Sequence, residues 1–428
     1  MKIQKLFFYI SLLFYLSIGQ LYELDAMDKS ATQWVYLNIL NITNAVIFLF
    51  FFKDYHHSIK IVFFKKPYFI FFLFLVSLTI SIIYAPNLSI AFIKLSEWLT
   101  IFISSLIIGT ILKILRPSIK TISALIVVSL MADLYFTYQS YFQFIKYIDF
   151  SRDYSIYLKG VSGNKNITAA SFVIRLPFIF YLLLSSKNNV IKAFAFISSM
   201  LVIYAIFLLT ARASIISLFL MFIIVITYLL YKRKEFGIKK IIIQTFLIGL
   251  IFFIPVLISN FSNTSSISIT ERVASINTAD DQSSQNRLTY YQDAINRFIE
   301  NPIMGVGLGN WKIKSIDYVS KEMQSYIIPY HVHNDFLEIA AESGIVSLLL
   351  YILIFYFVLI RILRLVNSSK FNLEVPLFGV VLFMSGLGFF IDSMLNFPHA
   401  RPLMMVMFGF IISLAYLDFN PINANNEK

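Results

Sequence analysis

The chain has 428 residues, of which 58% are hydrophobic and only 14% charged, with 45 phenylalanines and 25 tyrosines. Soluble domains run near half apolar and a quarter charged, so one large soluble core is excluded and a set of membrane spans is indicated. The net charge of +12 lies between apolar segments, where it reports membrane topology rather than a nucleic-acid partner, and the absence of cysteine removes disulfides, thiolate catalysis and cysteine metal sites.

A membrane-crossing helix needs ~20 mostly apolar residues, and about twelve stretches meet that rule. They lie near 6–21, 34–52, 68–85, 90–115, 121–145, 168–186, 192–210, 213–231, 241–259, 337–365, 376–396 and 402–418. The first lacks a small-residue cleavage site, so it reads as a span and not as a removed signal peptide. With the N-terminus inside, the cytoplasmic loops carry clusters such as Lys60, Lys65 and Lys66, and Lys232, Arg233, Lys234, Lys239 and Lys240, whereas the opposite short loops are sparse in cations. The positive-inside rule then puts both termini in the cytoplasm. The expected fold is an all-α polytopic membrane protein: an N-terminal bundle over 1–259, a polar loop outside the cytoplasm over 260–336, and a C-terminal bundle over 337–428.

That loop is too structured for a linker, and long loops tend to be functional. Its first part, Asn260 to Gln285, is rich in Ser, Thr and Asn and reads as extended. Leu288, Tyr291, Ile295, Phe298 and Ile299 then share one face of an amphipathic helix, which Pro302 stops. Gly305-Val306-Gly307-Leu308-Gly309 follows as a tight turn that fixes this helix against the membrane. No strand precedes it and no Lys-Ser/Thr pair follows, so a nucleotide loop is disfavoured. A second short helix is expected over 317–326, and the chain re-enters the membrane after His331-Val332-His333-Asn334.

His333 stands where a hydroxyl in the aqueous compartment can meet a substrate at the membrane surface, and histidine is suited to proton transfer near neutral pH. The competing reading makes Asn334 a helix cap and the histidines ordinary interfacial residues. His331, His333 and Asp335 invite a metal reading, but a catalytic zinc site wants three protein ligands, and of the other histidines His56 and His57 fall on the cytoplasmic side, leaving His399. No metal is expected. Arg212, in a turn joining two spans, either snorkels to the interface or binds a phosphate through its planar fork. Arg287 opens the amphipathic helix and Arg297 lies near its end; arginines converging from different elements make a pyrophosphate clamp. Lys94 and Glu97 are spaced to pair on one helix face. Asp133, Arg175, Glu338, Glu342 and Asp392 are intramembrane ionisable groups, which are expensive and usually face inward.

These residues resemble the O-antigen ligase/polymerase superfamily of bacterial inner-membrane glycosyltransferases. His333-Asn334 followed by Gly344 fits the ligase pattern of His, then Asn, Ser or Gln, then nine residues and Gly. Arg212 fits the arginine at the outer end of a mid-chain span. Asn286-Arg287, Asn301-Pro302 and Gly305–Gly309 fit the opening of the loop helix and the turn after it, and the order of spans fits over the whole chain. One departure is Ser347 where the pattern often has a second glycine.

The resemblance implies a fold of the GT-C type with a helical periplasmic lid. It implies an undecaprenyl-diphosphate-linked glycan as donor, no metal or other cofactor, and transfer with inversion to a hydroxyl of lipid A core on the periplasmic side of the inner membrane. His333 then acts as base, Arg212 and Arg287 hold the diphosphate, and Arg175, His331, Asn334, Arg297 and Glu342 assist substrate binding. Polymerisation of the same glycan and its attachment to protein Ser or Thr share this donor site. A lipid-linked glycan transporter is the reading from a different class, and the size of the loop speaks against it.

Overall fold

The computed structural model describes residues 2–21, 29–51, 54–145, 158, 160–261, 282–319, 329–368 and 373–418. The described residues are helical, with no strand among them. In chain order the helices are α1 (Lys2–Leu16), α2 (Lys29–Phe51), α3 (Asp54–Phe63), α4 (Lys66–Ser81), α5 (Leu88–Leu115), α6 (Ile119–Ile145), α7 (Lys165–Ser185), α8 (Asn189–Leu209), α9 (Arg212–Tyr231), α10 (Arg233–Phe236) and α11 (Ile238–Phe261). The loop contributes α12 (Gln282–Glu300), α13 (Trp311–Lys314) and α14 (Ile316–Val319); α15 (Asp335–Val366), α16 (Glu374–Leu395) and α17 (Pro402–Ala415) complete the bundle. Among the described residues, 10 helices are long and apolar enough to cross a membrane, and Gln4–Leu16 and Pro402–Ala415 are shorter apolar helices. Together they account for every expected span. The expected Ser/Thr/Asn-rich opening of the loop falls, from 262 to 281, outside the described residues, as does most of the expected helix over 317–326.

Asparagine starts four of the spans. Asn87, Asn164, Asn188 and Asn334 each accept hydrogen bonds from backbone N–H groups of the first turns of α5, α7, α8 and α15. A cap satisfies donors that a helix end leaves open, a need that grows where water is scarce. Helix α7 is the centre of the bundle: it is buried throughout its length and packs on α6, α8 and α16.

Arg175 sits on α7 and is wholly buried. Its guanidinium donates to Asp133 of α6 at 2.5 Å, to Ser129 at 3.2 Å and to the Ser171 carbonyl and hydroxyl at 2.9 and 3.0 Å. Gln20 donates to the other Asp133 oxygen at 2.8 Å, bringing the end of the first helical segment into the same network. The expected assistance of Arg175 in substrate binding therefore meets a different placement. Its hydrogen-bond partners Asp133, Ser129 and Ser171 all belong to the bundle, because an intramembrane charge is tolerable only when paired.

Asp133→Ala leaves that guanidinium buried without its carboxylate, which costs about 3–5 kcal/mol in such settings. The expected outcome is a clear loss of folded protein in a graded SDS unfolding experiment. Asp133→Ala/Arg175→Met should recover much of the loss, since removing both charges is far cheaper than removing one.

Candidate active site

The loop folds onto the non-helical break in α15. Gly344 has φ 75° and ψ −174°, a region reached essentially by glycine alone, and a Cβ there would stand 2.0 Å from the Ile303 carbonyl oxygen. The glycine turn meets this break directly. Val306 N–H donates to the Ala341 carbonyl at 3.0 Å, Gly307 N–H to the Glu342 carbonyl at 2.9 Å, and Ile345 N–H to the Pro302 carbonyl at 2.8 Å. A Cβ on Gly305 would lie 2.3 Å from the Glu342 backbone, and one on Gly307 2.3 Å from Ala85. The glycines are there because three backbones touch.

Glu342 belongs to this junction. Its carboxylate accepts N–H bonds from Gly309 at 2.8 Å and Trp311 at 3.0 Å. Arg297 similarly ties α12 to the next helices, donating to Glu300 at 2.8 Å and Asp317 at 3.1 Å. Ser347, at the departure noted in the motif, is buried and bonds the Ser77 hydroxyl of α4 at 2.9 Å, so a small residue suffices there. Ala294, Trp311, Val332 and Ala341 form a small second core beneath α12, with Tyr291 and Leu337 packed on it. The amphipathic face is shared between two surroundings: Tyr291 packs on this core, while Leu288, Ile295 and Ile299 are exposed, as suits a helix lying on a bilayer surface.

The histidines come next. Glu338, one turn before Glu342, is buried and accepts from three directions: His331 Nδ1 at 3.0 Å, Val332 N–H at 2.8 Å and His399 Nε2 at 3.0 Å. His399 Nδ1 in turn donates to Asp335 at 2.5 Å, and its ring stacks on Trp98 at 5.9 Å. Burial and Lys94 pull the His399 pKa down, but Asp335 and Glu338 outweigh them and raise it to about 9, so the ring is a cation between two carboxylates at neutral pH. His331 goes the other way: burial lowers its pKa against the pull of Glu338, so it is neutral and donates from Nδ1. His331, Glu338 and His399 bring ligand atoms within 4.8 Å of one another, a set that can hold a metal ion. This differs from the His331, His333 and Asp335 set considered from spacing.

His333 is outside that network. Its backbone is left-handed at φ 62°, which turns its ring away from His331, and its Nδ1 is buried with no hydrogen-bond partner among the described residues. Phe397 joins the two histidines, stacked on His331 at 4.3 Å and edge-on to His333 at 4.9 Å, with Arg401 over it at 5.2 Å. Tyr291 holds the turn by donating to the His333 carbonyl at 3.0 Å and the Met394 carbonyl at 3.3 Å. Arg287, one turn earlier on α12, donates to the Leu395 carbonyl at 2.9 Å. Burial first, then the charge of Arg287, lowers the His333 pKa to about 4. His333 and Arg287 are thus brought together by the fold. Asn334 does what the competing reading said of it: its side chain caps α15, accepting from Phe336 and Leu337 N–H at 3.0 and 3.1 Å. Arg212 begins α9 after Thr210, which is left-handed at φ 53° and accepts from Lys165 at 3.4 Å. Helix α9 packs on α16, whose far end carries the Leu395 carbonyl bonded by Arg287.

Comparison with known proteins adds to this geometry. Residues 197–352 match the family model described as O-Antigen ligase. Over those residues the chain is similar to the O-antigen ligase family. It is also similar to a protein of Rickettsia conorii named for polysaccharide ligation, with 36% identity over 93 residues. That match covers 20% of this chain, and the chain spans only 22% of the relative's length. The superfamily inferred from His333, Arg212 and the glycine turn is therefore borne out, and with it the expectation of a multi-pass membrane protein. The matched stretch includes Arg212, Arg287, the glycine turn, His333 and Gly344, but stops short of Phe397, His399 and Arg401, which complete the site from the α16–α17 connection. Spacing arguments missed these three because they lie more than sixty residues after His333; the available signal was a histidine and an arginine in one very short loop between spans.

Replacing Gly344 by alanine forces a side chain into the Ile303 carbonyl and an unfavourable backbone region, a strain of about 1–3 kcal/mol before any clash. The expected outcome is a membrane bundle that still folds while the 282–319 segment becomes much more sensitive to limited proteolysis. An unchanged cleavage pattern would contradict the junction described here.

Proposed function

We propose that the chain transfers a glycan from undecaprenyl diphosphate to a hydroxyl of lipid A core on the periplasmic face of the inner membrane, with both termini in the cytoplasm. The observation that carries this reading is the His333 ring, held neutral beside the Arg287 cation with a buried Nδ1 that has no hydrogen-bond partner among the described residues. In the transfer, the acceptor oxygen attacks the anomeric carbon as its proton passes to His333. The bond from that carbon to the diphosphate oxygen breaks with inversion, and the electron pair leaves on the diphosphate. Arg287, with Arg212 from the neighbouring span, holds that anion and stabilises its developing charge. His331, tied to Glu338, fixes the segment that presents His333, while Asn334, Glu342, Arg297 and Arg175 hold the elements around it in place.

The pairing of a base with a cation has a consequence. Arg287 suppresses protonation of His333 in the free protein. A bound diphosphate cancels that charge, so donor binding itself makes His333 a better base. The acid limb of kcat/KM, which reports the free enzyme, should fall near pH 4, because His333 must be deprotonated and its pKa there is about 4. The limb for kcat, which reports the loaded enzyme, should lie at higher pH; coincident limbs would argue against the coupling.

Purified protein in nanodiscs, supplied with lipid-linked glycan and lipid A core, tests the reaction. His333→Ala should lower transfer about 10²–10⁴-fold, the usual contribution of a general base. Normal transfer by this variant would overturn the mechanism. Lengthening of the lipid-linked glycan without addition to the core would make the protein a polymerase, and transfer to protein hydroxyls an oligosaccharyltransferase. Activity should survive EDTA; loss restored by a divalent cation would instead put a metal on His331, Glu338 and His399.

A further inference from the structure

Against His331 and Glu338 the structure holds a polar cavity of about 260 Å³ that the transfer chemistry does not use. Helix α5 forms one wall, the turn after Gly309 another, and His331 with Glu338 the floor nearest the reaction centre. His331 stacks on Phe397 and Phe397 touches His333, so the cavity ends two ring contacts from the proposed base. Arg287 is not among its lining residues.

Its chemistry is distinctive. Lys94, Lys312 and Arg401 supply three positive charges, and Glu97, Glu338 and Glu342 supply three carboxylates. Lys94 pairs with Glu97 at 2.9 Å, Glu338 is bonded by His331 and His399, and Glu342 by two backbone N–H groups. The lining carries groups of both signs and presents both donors and acceptors, without the one-sided field that an anion site needs. Tyr330 stands at the rim, 64% exposed, with Lys312 over its ring at 5.9 Å. An exposed aromatic face beside dense, paired hydrogen-bonding groups matches a ligand with an apolar ring face and many hydroxyls. At this volume the cavity is smaller than the ~300–1,000 Å³ of drug-sized pockets, so it takes a short ligand and not a chain.

We propose that this cavity binds a neutral sugar ring of the acceptor, with Tyr330 stacked on the ring and the Lys94–Glu97 pair bonded to its hydroxyls. The assignment to the acceptor rests on the transfer reading above. Inversion requires the attacking hydroxyl and the leaving diphosphate on opposite faces of the anomeric carbon. With the diphosphate held at Arg287, which does not line the cavity, the cavity lined by His331 is the separate polar space in which an acceptor ring can sit.

Two measurements on the full-length protein in nanodiscs test this. In saturation-transfer NMR with methyl glycosides of neutral hexoses, the wild type should give ring-proton signals that inorganic phosphate does not displace and that Tyr330→Ala, an exposed and fold-neutral change, largely removes. Unchanged signals in Tyr330→Ala, or displacement by phosphate or by a methyl uronoside, would overturn the neutral-sugar site. In the transfer assay, Tyr330→Ala and Glu97→Gln should raise KM for the acceptor about tenfold with kcat within about twofold and donor KM unchanged; a rise in donor KM instead would assign the cavity to the donor. If the wild type transfers nothing to a glycolipid acceptor, the transfer reading fails, while the NMR result still decides whether the cavity binds a sugar.

Discussion

The Glu338 carboxylate holds the site together. It accepts from His331 and Val332 on the irregular segment leading to α15, and from His399 on the connection between α16 and α17. Two segments more than sixty residues apart are thereby fixed by one buried side chain. A carboxylate so placed is stable only because all its bonding capacity is met and a protonated His399 supplies the countercharge. The segment before α15 cannot then shift without leaving a buried charge unpaired, and His333 inherits its position from that constraint.

Glu342 repeats the device one turn further along. Two carboxylates four residues apart share a helix face; one captures the histidine segment and the other the glycine turn. Between them the loop is bound to α15 through side-chain and backbone hydrogen bonds, with a core of only a few residues to support it. The division of labour is sharp. His331 and His399 are tied to carboxylates, whereas His333, with its left-handed backbone, has a buried Nδ1 without a hydrogen-bond partner among the described residues.

The membrane bundle was legible in the chain, since segments of ~20 apolar residues allow no alternative to a helix in lipid. Lys94 and Glu97 pair as their spacing suggested, because a helix puts such neighbours on one face. His333 was singled out from His331 by its distance to Gly344, and the fold gives that spacing a physical meaning: Gly344 is where α15 breaks to admit the loop. Charge by itself was less informative. Arg175, Arg297 and Glu342 have protein partners, and a charge announces that a partner is needed without saying whether it is a substrate or another side chain. The apolar face of α12 divides between a protein core and exposed residues, and periodicity does not distinguish these two surroundings.

Sequence by itself thus determined the class of the protein, its spans and the motif that places it with O-antigen ligases, because lipid imposes local rules that each segment must satisfy alone. Tertiary structure decided which charged groups are partners, that His399 and Arg401 join a site built mainly from residues before 352, and that a polar cavity opens beside His331. Those outcomes depend on contacts between α5, α15 and the α16–α17 connection, and no local pattern encodes a meeting of segments separated by hundreds of residues.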